Sequence, residues 1–136
     1  MRTLVATSCL FSTVVVHAYY AHAWIYHHLY LAVLVMSIIV HGTRDAWVMP
    51  ADKAVAHLAF FFTLSEGLRI EDPMHMWLGV FPCIVLVLWA SETFYPVMAR
   101  DIHAVLHVVA IIGLHCFLAV LYPSDEMLDW MDQWLL

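Results

Sequence analysis

Two pairs of polar side chains at helical spacing stand out in this chain. Ser37 and His41 are four apart in Ser37-Ile-Ile-Val-His41, and His103 and His107 are four apart in His103-Ala-Val-Leu-His107. Residues at this spacing lie on one helix face, so each pair can aim at a common point. Asp52 follows His41 by eleven residues, where a new apolar stretch opens. All five lie in or beside apolar runs of lipid-crossing length, where a polar side chain is costly and usually has a task. Three neutral imidazoles with a fourth position open are the donor set of catalytic zinc. Each piece also has a plainer reading. A histidine pair can simply sit at an interface, Asp52 can cap a helix, and Ser37 can bond back to its own helix.

The elements that must bring these residues together are membrane helices. The chain has 136 residues, 65% hydrophobic and 12% charged, with a mean hydropathy of +0.86. A soluble domain of this size cannot hide so much apolar surface. The runs are continuous rather than alternating, which excludes a membrane β-barrel and gives an all-α, polytopic transmembrane bundle. Five spans are expected in a single domain covering 1–136: Thr3–Tyr20, Ile25–His41, Ala51–Leu68, Met74–Phe94 and Ile102–Tyr122. The fourth and fifth are each long enough to cross with some tilt. Pro73, Pro96 and Pro123 fall at turns or span ends, while Pro82 lies inside the fourth span and is expected to kink it. If the helices alternate in direction, His41, Asp52, His103 and His107 reach similar depth on three different helices.

Charge orients the bundle. Arg2, Arg44, Lys53 and Arg100 fall on one side and Arg69 alone on the other, which places the amino terminus in the cytoplasm by the positive-inside rule. The net charge of −6 comes largely from Asp125, Glu126, Asp129 and Asp132, interleaved with apolar residues after Pro123. That tail reads as a short amphipathic segment at the interface, with a partner-binding helix as the alternative. The acidic balance and the lack of a basic patch argue against nucleic acid as a partner. Met1-Arg2, an apolar stretch and Ala21-His22-Ala23 also match a cleaved signal peptide; the reading preferred here retains the span. Cys9, Cys83 and Cys116 have no paired spacing and read as small buried residues.

Among the ten histidines, His17, His22, His27, His28 and His75 cluster toward the far face beside Tyr19, Tyr20, Trp24, Tyr26 and Tyr30. This is the composition of an interfacial aromatic belt, with a second metal site at His22, His27 and His28 as the alternative. On the near side, Glu92 is close in depth to His103 and is a candidate to fix that imidazole's tautomer. His57 does not share a face with Asp52, and His115 lies deeper; both stand outside the expected site.

The order Ser-x3-His, Asp eleven residues on, and His-x3-His opening the last helix resembles the alkaline ceramidase branch of the CREST superfamily. That superfamily also includes the progestin and adipoQ receptors and relatives of the myomaker and post-GPI-attachment phospholipase group. Its members are polytopic helical proteins with zinc held by three histidines, and several hydrolyse lipid amides or esters. The resemblance covers about Leu31 to Leu114 and implies that His41, His103 and His107 bind Zn2+, with Ser37 and Asp52 completing the site. It further implies a zinc-dependent intramembrane hydrolase of a lipid amide or ester, with a zinc-bound water as nucleophile. Asp52 would accept and return the proton, and Ser37 would donate to the oxyanion or orient the water. Family members usually have seven spans, and here the gap between His41 and His103 is short by about a helical hairpin.

Membrane lipids would then be the substrate, with walls from Phe60, Phe61, Phe62, Trp77, Phe81 and Trp89. A membrane-protein partner or a second copy is the further expectation, since five spans leave the pocket open to completion. Two other functions fit the same residues. One is a b-type haem anchor with axial pairs His57 with His107 or His41 with His115. The other is a non-enzymatic subunit of a membrane complex.

Overall fold

The computed structural model describes residues 2–43, 47–70 and 78–124. The described residues are helical, with five α-helices: α1 Arg2–Tyr20, α2 Trp24–Thr43, α3 Met49–Gly67, α4 Val80–Phe94 and α5 Ala99–Leu121. Three of them, α1, α2 and α5, are long and apolar enough to cross a membrane, which marks a membrane-associated chain. The fourth expected span departs from its bounds. Its helix begins at Val80 and runs 15 residues, preceded by a short 3-10 turn at Leu78 and Gly79, while Met74–Trp77 lie outside the described residues. Arg44, Pro73, His75 and the acidic tail from Asp125 onward lie outside them as well.

Local chemistry explains where the helices start and stop. α1 ends in a left-handed residue, His22, with φ of 55°. The Ala23 amide bonds to the Ala18 carbonyl and the His22 amide to that of Tyr19, the paired bonds of a Schellman ending. Ala18 and Ala23 are both buried, so Ala21-His22-Ala23 is a tight reversal whose small residues let α2 fold back onto α1. In α3, proline occupies one of the first two positions, where its missing N–H costs no helix bond. Pro82 is third in α4, after the N-cap at Gly79. Its N–H too would have had no intrahelical partner, so the expected kink does not arise: Pro82 starts a helix instead of bending one.

The helices pack as a row in the order α3, α2, α1, α5, α4, with α1 in the middle. Apolar attraction is weak between helices in lipid, so close contact and polar bonds across helices must hold them. Each neighbouring pair in the row has at least one such bond. Tyr30 and Thr63 join α2 to α3 at 3.0 Å. Ser8 and Ser37 join α1 to α2 at 2.9 Å, and Thr7 and His107 join α1 to α5 at 3.0 Å. Glu92 and His103 join α4 to α5 at 2.8 Å. Most of the buried apolar residues, including Phe11, Val14, Val15 and Ala18 from α1, lie along this middle of the row. By contrast α3 buries only Ala59 and α4 buries nothing. Cys9 and Cys83, expected to be buried, are exposed and Cys116 is half-buried, since an apolar helix in lipid need not hide its small residues against a neighbour. The two end helices are therefore thinly packed walls, and residues of all five helices surround one cavity of about 450 Å³.

Candidate metal centre

Every residue of the site comes from the same end of the bundle. α2 delivers His41 in its last turn, and α5 delivers His103 and His107 soon after its start. α4 brings Glu92 near its end and α3 brings Asp52 in its first turn. The central helix α1 contributes Thr7 and Ser8. Alternation of helix direction produces this gathering.

The structure brings His41, His103 and His107 together. Their ring centroids stand 5.3 Å (His41–His103), 5.5 Å (His41–His107) and 4.6 Å (His103–His107) apart. One nitrogen from each ring lies within 4.8 Å of the other two, and no other group of three or more possible ligands is this close among the described residues. A point central to three atoms at that limit is about 2.8 Å from each, against a zinc–imidazole bond of 2.0–2.1 Å. Less than about 1 Å of movement per ring closes the site, well within the reach of a χ adjustment.

Hydrogen bonding sets which nitrogens are free. Thr7 gives its single hydroxyl proton to the Leu4 carbonyl at 3.0 Å, so its oxygen accepts from the Nδ1–H of His107. His103 donates its Nδ1–H to the Glu92 carboxylate at 2.8 Å. Both rings are thereby held in the tautomer that leaves Nε2 as a bare lone pair. The third ring offers the same atom, because Nε2 of His41 is buried without a hydrogen-bond partner among the described residues. Lone pairs gathered in a half-buried place with no donor are costly, and a cation satisfies them all at once. The residues present therefore fit a metal ion, with neutral imidazoles oriented by outer partners.

Asp52 and Ser37 both line the cavity beside the triad. Asp52 lines the same cavity as His103 and His107. It does not cap its helix, since the N-cap of α3 is Val48. Its carboxylate sits a turn further in, at the positive end of the helix dipole, and faces the site. Ser37 bonds to Ser8 across helices and not back along its own. With the Ser8 proton on the Leu4 carbonyl, 2.8 Å away, the Ser37 hydroxyl would donate to Ser8. Ser37 thus presents an acceptor to the cavity, and donation to an oxyanion would require both hydroxyls to turn. Thr7 and Ser8 are the residues that sequence reasoning missed. The signal was present: two hydroxyls within a lipid-length apolar run, as unusual there as Ser37.

The remaining histidines go elsewhere. His17 and His115 meet Nδ1 to Nδ1 at 2.9 Å, and Thr13 lies 2.9 Å from the other side of His115. His27 donates to the Val15 carbonyl and His28 to that of Trp24. His22, His27 and His28 do not form a metal-sized group, which corrects that alternative. Two histidines of the haem alternative have other neighbours. His115 is engaged by His17, and His57 packs on Trp89. Of the expected walls, Phe60, Phe61, Phe81 and Trp89 line the cavity. Phe62 packs on Tyr26 instead, and Trp77 is outside the described residues.

Comparison of the chain with protein-family models, with curated proteins and with solved structures gives no match.

Proposed function

We propose that this chain is a zinc-dependent intramembrane hydrolase of a lipid amide or ester. One observation carries the reading: three imidazoles, two of them held by Thr7 and Glu92, bring a nitrogen each to within 4.8 Å of one another beside a largely apolar cavity. A structural zinc site would close all four positions with protein ligands, whereas three histidines leave one open. His41, His103 and His107 would hold the ion, which supplies Lewis acidity and makes a water acidic near neutral pH.

The chain's own groups divide the remaining work. Asp52 takes a proton from water at its carboxylate and returns it to the departing amine or alcohol. Glu92 and Thr7 keep two imidazoles from turning. Ser37, with Ser8 behind it, accepts a hydrogen bond at the edge of the site and so orients water. Phe60, Leu106 and Leu114 line the cavity away from the triad, where they exclude water and suit an acyl chain. An amino terminus on the cytoplasmic side belongs to the same reading.

Elemental mass spectrometry of detergent-purified protein is the test. About one zinc per chain is expected, lost in His103→Ala, followed by turnover in a screen of fatty amides and esters. Iron near one per chain, or well-folded protein with neither metal, would overturn the proposal.

A further inference from the structure

The row of helices has two ends, and they face each other across the cavity. α3 and α4 are not among the closely packed helix pairs, yet both line the cavity, with Ala56, Phe60 and Leu64 on one side and Pro82, Val85 and Trp89 on the other. Among the described residues, an aromatic contact spans this seam. The rings of His57 and Trp89 meet edge to face with centroids 4.5 Å apart. His57 is steadied from below, donating its Nδ1–H to the Lys53 carbonyl.

Three further observations bear on this contact. First, its outer lip is apolar and open: Phe61 is 57% exposed and Trp89 is 44% exposed. Second, it lies beside the metal centre. Trp89 precedes Glu92 by three residues on one face of α4, and His57 follows Asp52 by five, roughly 7 Å along the helix. Third, the two leaves differ in firmness. α4 is seated against α5, where Phe81 lies so close to Gly113 that a Cβ there would stand 2.8 Å from it. α3 buries one residue and is held to α2 by the Tyr30–Thr63 bond.

We infer that the α3/α4 seam is the side door through which an acyl chain passes from the bilayer to the triad, and that His57 and Trp89 are its latch. These two residues then favour bilayer-resident lipids over water-dispersed esters, since the path leads from lipid to the metal centre without crossing the polar face. The identity of the substrate rests on the function proposed above. The route is tested by occupancy, so the two ideas fail separately.

The experiment uses full-length chain in phosphatidylcholine nanodiscs, with Cys9, Cys83 and Cys116 replaced by alanine and the pair His57→Cys/Trp89→Cys added. A C16 fatty acid bearing a diazirine is the probe, and labelled residues are mapped by peptide mass spectrometry. Bridging the two cysteines with a reducible bis-thiosulfonate linker is expected to cut labelling of Phe60 and Leu106 at least about fivefold, with recovery on reduction, as for a closed gate. Zinc content, read in parallel, should stay unchanged. Equal labelling with the seam bridged overturns the route. As a second arm, Trp89→Ala alone should speed labelling about threefold by removing the latch. Unchanged or slower labelling would show that the contact is only packing.

Discussion

Thr7 and Glu92 hold His107 and His103 through the back of each ring, and so would act on a metal held by the triad. A histidine that donates its other N–H is fixed in tautomer and angle, and its ligating nitrogen becomes more basic. Thr7→Val keeps shape but removes the acceptor for His107. Zinc affinity, read by competition with a chelator of known strength, should fall about 10- to 100-fold. Glu92→Gln keeps an acceptor without the charge and should fall less than Glu92→Ala. Unchanged affinity in Thr7→Val would mean that Thr7 only joins helices. The three imidazoles were legible in the sequence because i and i+4 spacing is a local property. Thr7 and Ser8 were legible only as hydroxyls in an apolar run, because their role depends on which helix lies next to α1.

Helix ends and close contacts carry the element scale. Gly113 is buried, and a Cβ there would stand 2.8 and 2.9 Å from Cβ and Cγ of Phe81. Those atoms are the root of the side chain, so the clash cannot be relieved by swinging its tip. Gly113→Ala should therefore push α4 off α5 and destabilise the fold by about 1–3 kcal/mol. Thermal unfolding in detergent reads the loss, and Phe81→Ala added to it should restore part. The boundaries of α1, α2 and α5 followed from apolar length alone. α4 was harder, since an apolar run beginning at Met74 gives no hint that the helix begins with Pro82 in its first turn. Pro82 read alone suggests a kink; its position relative to Gly79 makes it a start.

At the scale of the whole molecule, the centre bridges helices that are not sequence neighbours. His41 belongs to α2 and the other two histidines to α5, while α1 packs between these helices. A metal held by all three ties the row together across its middle helix. Ligand that binds only the folded state adds about 2.7 kcal/mol at a hundredfold excess over Kd. A chelator should thus lower the melting temperature of the wild type and leave that of His103→Ala unmoved; equal response in both would mean that the metal sits elsewhere.

Composition by itself determined that the chain is helical and lipid-facing, because only helices satisfy the backbone inside continuous apolar runs. Spacing determined that Ser37 with His41, and His103 with His107, share faces, because 3.6 residues per turn is a property of the local backbone. Alternation of direction carried the near-side gathering of those residues with Asp52. The tertiary structure alone decided the order of the row, and with it everything that depends on neighbours. It paired His17 with His115, set Ser37 against Ser8, and left the buried Nε2 of His41 without a partner among the described residues. A hydrogen bond between helices is fixed by rotation and lateral placement, and neither quantity is written in the sequence of one helix.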